Sequence, residues 1–397
     1  MTLPANQPKQ RIQSIDILRG IVMLIMAIDH VRDFFHVTAF TDSPTNLDTT
    51  TPQLFFTRWI THFCAPVFVF LSGTSAFLAG QKKSTKELSA FLIKRGIWLI
   101  IVENIVMTLA FTFNPLYNLF VWQVIWAIGW SMIILGLLVR TSMKLIIIIG
   151  FIIVFGHDII NYMQIPNKGT EHVLMSIFFT AFGTSLQLTQ THFVYDLYAI
   201  IPWTGVMLLG YGFGVFYKKK YKDADRRKII LNIGFAVTTF FILIRFINLY
   251  GDPVHWSAQK NGFYTFLSFL NASKYPPSLC YLSMTLGPAI ILLSLIETAQ
   301  NKFTKILSIY GRVPFFYYVL HFYLIHTICV ILFFATGYTS KDIIDLNTPF
   351  LFRPQHFGFD LPAVYSIWLF VIIVLYIPCK WFDEYRRTHH QWWLSYL

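Results

Sequence analysis

The sequence predicts an all-α, polytopic transmembrane helix bundle of about ten spans, with residues 1–397 as a single integral membrane domain. Three observations carry this expectation. Hydrophobic residues make up 55% of the 397 positions and charged residues only 13%, against about 25% charged in soluble domains. Apolar runs recur along the whole chain, each near the roughly 20 helical residues needed to cross about 30 Å of hydrocarbon. Lys and Arg fall between those runs, concentrated in alternate loops.

The first segment, 15–36, lies within SIDILRGIVMLIMAIDHVRDFFH (Ser14 to His36). No small-residue cleavage site follows its apolar part, so this span is expected to remain in the mature protein. Segments 54–80, 90–112 and 119–139 follow, and then a short one at 143–157. The stretch 171–190, EHVLMSIFFTAFGTSLQLTQ, fits an interfacial or re-entrant helix as well as a loop. Segment 197–217 carries LLGYGFG, whose glycines Gly210, Gly212 and Gly214 suit close helix packing. They make no nucleotide loop, since no strand precedes them. Segments 229–250, 278–296, 310–336 and 361–382 complete the count. Between spans, TDSPTN, QIPNKGT and LNTPFLFRPQHFGFD are turn-rich and irregular, leaving no room for a soluble domain.

The formal charge of +12 is spread between hydrophobic runs and not gathered on one basic domain, so no nucleic-acid partner is expected. One set of alternate loops carries Lys9 and Arg11, five Lys and Arg in QKKSTKELSAFLIKR, Arg140 and Lys144, the run YKKKYKDADRRK, and Lys302, Lys305, Arg312, Lys380, Arg386 and Arg387. The opposite set holds only Lys168, Lys260, Lys274, Lys341 and Arg353. Basic residues resist translocation, so both termini are expected in the cytoplasm, in a cell (inner) membrane. Cys64, Cys280, Cys329 and Cys379 sit in or beside apolar segments without metal-ligand spacing and read as buried thiols; no metal is expected.

The first segment ends in Asp29, His30, Arg32, Asp33 and His36 while still at membrane depth. Ionisable groups there cost a few kcal/mol each unless they are paired or face a wet cavity, so the cluster is a candidate site. Asp29 can pair with Arg32 along one helix face, whereas His30 needs partners from other helices. Arg58 and His62, Arg245 and His326 share that outer depth, with Glu103, Asn104 and His321 nearer the midplane. The plain alternative for Arg32, Arg58 and Arg245 is snorkelling. For His321 it is packing, and for Asp16 with Arg19 a local i,i+3 ion pair. Gln123 is the polar exception in an aromatic run.

The opening SIDILRG, with APVFVFLSGTSAFL (Ala65 to Leu78), IPWTGVMLLGYGFG (Ile201 to Gly214), KYPPSLCYLSMTLGPA (Lys274 to Ala289) and GRVPFFYYVLHFYLIH (Gly311 to His326), resembles the transmembrane acetyltransferase family of heparan-alpha-glucosaminide N-acetyltransferase, in particular its little-characterised bacterial branch. The likeness runs through nearly all the chain. It implies a multi-helix enzyme that takes an acetyl group from acetyl-CoA on the cytoplasmic side and passes it to an amino sugar on the far side. The family chemistry is attributed to a far-side histidine and asparagine after the first span. An ungapped reading from SIDILRG puts His30 in the asparagine column and Thr41 in the histidine column, with His36 the nearest histidine.

As an acyltransferase the chain is expected to use His30 as general base, with Asp29 orienting it and His36 or His326 as alternates. Arg32, Arg58, Arg245 and His326 are the expected substrate-binding groups, and Arg32, Arg58 or Arg245 would face the oxyanion. Arg312, Lys305 and Lys302 would take the phosphates of acyl-CoA, the acyl donor. The expected partners are the lipid bilayer, acyl-CoA and a glycan or amino-sugar acceptor, and self-association is left open. The competing class is a transporter or envelope assembly factor that binds a proton or anionic solute without chemistry. No inverted repeat with matching broken helices supports it.

Overall fold

The computed structural model describes residues 12–163, 168–181, 184–346, 348–389 and 391–395. Lys9, Arg11 and the QIPN part of the loop at 164–167 lie outside them. Fifteen α-helices form the bundle among the described residues. They run as α1 Gln13–Phe35, α2 Pro52–Thr61, α3 Cys64–Gly80, α4 Thr85–Val102, α5 Thr108–Thr112, α6 Val124–Leu138, α7 Met143–Gly156 and α8 Gly169–Met175. Then come α9 Ile200–Phe213, α10 Asp223–Ile247, α11 Gly262–Leu270, α12 Leu279–Leu295, α13 Lys302–Arg312, α14 Pro314–Ala335 and α15 Leu361–Thr388.

Seven helical stretches among the described residues are long and apolar enough to cross a membrane, which makes this a multi-pass membrane protein. They are Pro52–Gly80, Met143–Tyr162, Ile200–Tyr217, Asp223–Ile247, Leu279–Thr298, Pro314–Ala335 and Leu361–Thr388. The expected ten spans include these seven. The other three fall short for different reasons: α1 carries Asp16, Arg19, Asp29, Arg32 and Asp33, α4 carries Lys86, Glu87, Lys94 and Arg95, and α6 is only 15 residues long. Exposed Ile148 and Ile152 of α7, Leu243 and Phe246 of α10, and Ile373 and Ile377 of α15 form the apolar outer surface that lipid requires.

The 119–139 segment is not one helix. Its first residues form strand β1, Leu119–Trp122, in a small sheet with β2, Thr184–Gln187, and β3, Phe193–Asp196. β3 lies in the middle, parallel to β1 and antiparallel to β2. The 171–190 stretch is likewise divided, between α8, a π-helical turn at Ser176–Thr180 and β2.

α1 occupies the centre and packs against α2, α3, α12, α13, α14 and α15, which explains its burial on nearly every face. Its approach to α13 is too close for a side chain: a Cβ at Gly311 would fall 1.8 Å from the Asp16 carbonyl oxygen. The expected close-packing glycine of α9 works in the same way, since a Cβ at Gly210 would fall 2.1 Å from the Phe70 carbonyl oxygen of α3. α4 ends in a π-helical turn, Glu103–Met107, which rotates Glu103 inward beside the end of β1. There Glu103 Oε1 accepts the Gln123 N–H at 2.6 Å.

Candidate active site

The C-terminal end of α1 supplies the framework. Asp29, Arg32 and Asp33 are spaced i, i+3 and i+4 and share a face, while His30 lies about 100° further round the helix. Arg32 Nη2 lies 3.0 Å from Asp29 Oδ1 and 2.5 Å from Asp33 Oδ1. Arg58 of α2 donates from Nη1 to Asp29 Oδ2, and Lys274 Nζ stands 3.8 Å from the same oxygen. Arg58 therefore makes a buried ion pair instead of snorkelling outward. Three cations face two carboxylates, which leaves the cluster with a surplus positive charge suited to an anion or a developing oxyanion. Burial pushes the neighbouring Tyr275 phenol up, but Lys274 and Arg58 reverse this and hold it below its ordinary value.

Lys274 sits in the α11–α12 loop, and buried groups fix its position. Asp252 accepts from Ser273 N and Oγ at 2.9 Å and from Ser278 Oγ at 2.6 Å. Arg245 donates to the carbonyls of Phe269, Val254, Ser268 and Asn271 at 2.8–3.0 Å and lies 3.7 Å from Asp252. The guanidinium of Arg245 is thus used up holding the loop that presents Lys274, and it is not brought to the Asp29 cluster.

His30 faces α14. Its ring centroid is 4.1 Å from Phe322, 5.1 Å from His321 and 6.4 Å from Tyr318, and Asp29 makes no hydrogen bond to it. His321 Nδ1 lies 2.6 Å from the Tyr318 carbonyl oxygen. Around this region several buried polar atoms have no hydrogen-bond partner among the described residues: Asp29 Oδ1, which has only its ion pair with Arg32, Arg32 Nε and Nη1, His62 Nδ1, Glu103 Oε2, Tyr318 Oη and His321 Nε2. Buried polar groups of this kind are ordinarily satisfied by ordered water or by a bound molecule.

Two cavities meet here. The smaller, about 30 Å³, has room for about two waters and is lined by Asp29, His30, Cys64, Gln123, Tyr198 and Lys274 among others. The larger, about 340 Å³, carries Arg19, Arg95, Arg312 and Arg386 together with Ser72, Ser75 and apolar walls from α3, α4 and α6. Phe68, Val124 and Tyr318 line both cavities, so the arginine-lined space and the His30 space are neighbours. Arg312 is held by Asp383 through bonds of 2.7 and 2.6 Å, and Arg19 reaches Ser75 Oγ at 2.8 Å. Asp16 and Asp383 offset only part of this charge.

The remaining sequence-predicted residues lie elsewhere. His36 is the C-cap of α1, with Nδ1 2.9 Å from Thr38 Oγ1, and its carbonyl accepts from Arg353 Nη2 at 2.8 Å. His326 Nδ1 lies 3.0 Å from the Ala110 carbonyl oxygen and Nε2 2.9 Å from that of Leu351, so both ring nitrogens are engaged by backbone. Lys302 and Lys305 are exposed on α13 and do not line the arginine cavity, whereas Arg312 does. Sequence reasoning passed over Lys274, Tyr318, Arg19 and Arg95 as site residues. The available signals were a lysine in a lysine-poor set of loops and arginines within or beside apolar runs.

The profile of the family described as heparan-alpha-glucosaminide N-acetyltransferase, catalytic, matches residues 11–243. That is more than half of the 397 residues and includes Asp29, His30, Arg32 and Arg58, while stopping short of Arg245, Lys274, Arg312 and His321. No curated protein matches the chain. By the extent of the family match, the chain belongs to the heparan-alpha-glucosaminide N-acetyltransferase catalytic family.

Proposed function

We propose that the protein, as one integral membrane domain over 1–397, is a transmembrane acyltransferase. It takes an acetyl group from acetyl-CoA at its arginine-lined end and delivers it to a sugar amine or hydroxyl acceptor arriving from the opposite side. The loop-charge bias supports an inner-membrane orientation with both termini and the arginine cavity cytoplasmic. One observation carries the reading: a cavity with four arginines abuts a smaller polar cavity holding Asp29, His30 and Lys274, with Phe68, Val124 and Tyr318 between them. Coenzyme A is an elongated polyphosphate with a thioester at its far tip. Its phosphates suit Arg19, Arg312 and Arg386, and its thioester would project toward His30.

In this reading the acceptor nitrogen or oxygen attacks the thioester carbonyl carbon while His30 takes its proton. The carbonyl oxygen becomes an anion close to Lys274, Arg58 and Arg32, which Asp29 holds in place. Collapse of the intermediate breaks the C–S bond, and the departing thiolate takes the proton from His30. The products are the acetylated acceptor and free coenzyme A. His36, at the C-cap of α1 and outside both cavities, is the alternate base of this reading.

The test uses purified protein in detergent with radiolabelled acetyl-CoA and glucosamine. Label is expected in the hexosamine, His30→Ala is expected to lose about 10²–10⁴-fold in rate, and Arg19→Gln to weaken acetyl-CoA about tenfold. Saturable acetyl-CoA binding without transfer to any amine or hydroxyl acceptor would favour a non-catalytic carrier. Absence of both would remove the acyltransferase reading.

A further inference from the structure

His321 is fully buried in α14, one turn beyond Tyr318, which lines both cavities. Its Nδ1 stands 2.6 Å from the Tyr318 carbonyl oxygen and 3.2 Å from that of Tyr317. A carbonyl can only accept, so Nδ1 carries the hydrogen, and in the neutral ring Nε2 then carries the lone pair. That Nε2 is buried and has no hydrogen-bond partner among the described residues. The ring is fixed on a second side by stacking on Tyr317, with centroids 5.3 Å apart and planes within 6°. His30 lies beside the His321 ring, with centroids 5.1 Å apart and planes tilted by 55°. His30 packs on Phe322 and makes no hydrogen bond of its own among the described residues, while Asp29, Lys274 and Arg58 face it only through their charges. The 5.1 Å separation of the two histidine rings is compatible with an N–H···N bond between them.

We propose that His321 is a positioning residue for His30, accepting the N–H of one His30 nitrogen at Nε2 so that the other nitrogen presents its lone pair to the small cavity. The inference rests on the acyltransferase reading for its consequence in rate, but not for the hydrogen bond itself. The chain of bonds runs from the Tyr318 carbonyl through His321 to His30 and sets one tautomer at each ring. A general base with the wrong tautomer turned to the substrate cannot take its proton. A packing histidine, in contrast, requires no free lone pair on its second nitrogen. His321 thus takes toward His30 the role that the sequence suggested for Asp29, whose carboxylate is occupied by Arg32, Arg58 and Lys274.

The experiment has two arms on the full chain. In the first, ¹⁵N-histidine-labelled protein is studied by solid-state NMR at neutral pH. His321 is expected as the Nδ1–H tautomer and His30 as a single tautomer, with His30 becoming a mixture in His321→Ala. In the second, acetyl transfer is followed. His321→Ala is expected to lower kcat about 10²-fold with KM for acetyl-CoA changed less than twofold, while His321→Gln, whose amide oxygen can accept, recovers at least tenfold of the loss. A protonated Nε2 on His321, or a His30 spectrum unchanged by its loss, would overturn the proposal. So would equal kcat values for the alanine and glutamine variants. If His321→Ala does not fold, the wild-type spectrum and the His321→Gln variant still decide. Wild-type protein that transfers no acetyl group but shows the expected spectra would sink the acyltransferase reading and leave the histidine pair standing.

Discussion

Neutralising Asp29 should be the most damaging single change in the ion cluster. Its side chain is only 10% exposed, and it is shared by Arg32, by Arg58 at 14% exposure and by Lys274 at 9%. Asp29→Ala leaves Arg58 and Lys274 buried with no carboxylate within pairing distance, while Arg32 keeps Asp33 at 2.5 Å. Removing one partner of a buried pair costs about 3–5 kcal/mol, because the orphaned charge remains out of water. With an unfolding entropy of about 2.1 cal/mol/K per residue over 397 residues, near 0.8 kcal/mol/K, the expected fall in Tm is about 4–6 °C. Arg58→Ala should cost less, since Asp29 retains Arg32 at 3.0 Å and Lys274 at 3.8 Å. Asp33→Asn, on a side chain 44% exposed, should cost no more than about 1 kcal/mol. Tryptophan fluorescence during thermal unfolding in one detergent would rank the three variants. A Tm for Asp29→Ala no lower than that for Asp33→Asn would refute the buried-cluster argument.

Four other predictions follow from the geometry. Asp196 is fully buried, and its carboxyl is pushed up to about 7 by that burial against the opposing Tyr198 N–H. A raised carboxylate value means the folded state holds the proton longer, so stability should fall as pH rises from about 4 to 7, by up to about 4 kcal/mol, and Asp196→Asn should flatten that dependence in pH-resolved unfolding. Arg245→Ala leaves four carbonyls without their donor; it should cost about 3–5 kcal/mol and lower kcat through a displaced Lys274, with acetyl-CoA affinity changed little in a binding assay. Gly210→Ala, whose Cβ would lie 2.1 Å from the Phe70 oxygen, should lower Tm, whereas Gly156→Ala, with nothing within 4 Å, should hold or raise it. A reporter inserted after Lys222 should remain cytoplasmic and one after Thr189 should be exported; the reverse pattern would move the arginine cavity to the wrong side.

What could be read from the sequence was what depends on neighbouring residues. Hydrophobic runs located the long helices, and the i,i+3 spacing of Asp29 and Arg32 anticipated their 3.0 Å contact. What escaped depends on partners distant in the chain. Leu119–Trp122 is hydrophobic enough for a helix, yet it forms a strand because Phe193–Asp196 lies alongside it. Lys274 meets Asp29 only because Arg245 and Asp252 fold the α11–α12 loop inward. A lone histidine in an apolar helix gives no sign of which neighbour its second nitrogen will face, so His321 read as packing. For His326 the sequence indicated depth but not surroundings: its two ring nitrogens lie against the Ala110 and Leu351 carbonyls. Basic residues near helix ends could be counted, but which of them line a cavity depends on helix rotation. That rotation separates Arg19 and Arg312 from the exposed Lys302 and Lys305.

The central claim is passage of an acetyl group from one end of the bundle to the other through His30. Its most direct test is a sealed proteoliposome holding glucosamine inside, with radiolabelled acetyl-CoA supplied only outside, to protein oriented with its arginine cavity outward. Labelled N-acetylglucosamine is expected to accumulate in the lumen while acetyl-CoA stays outside, with the signal lost in His30→Ala. Label appearing only in acceptor on the acetyl-CoA side, or equal luminal labelling with His30→Ala, would contradict that claim.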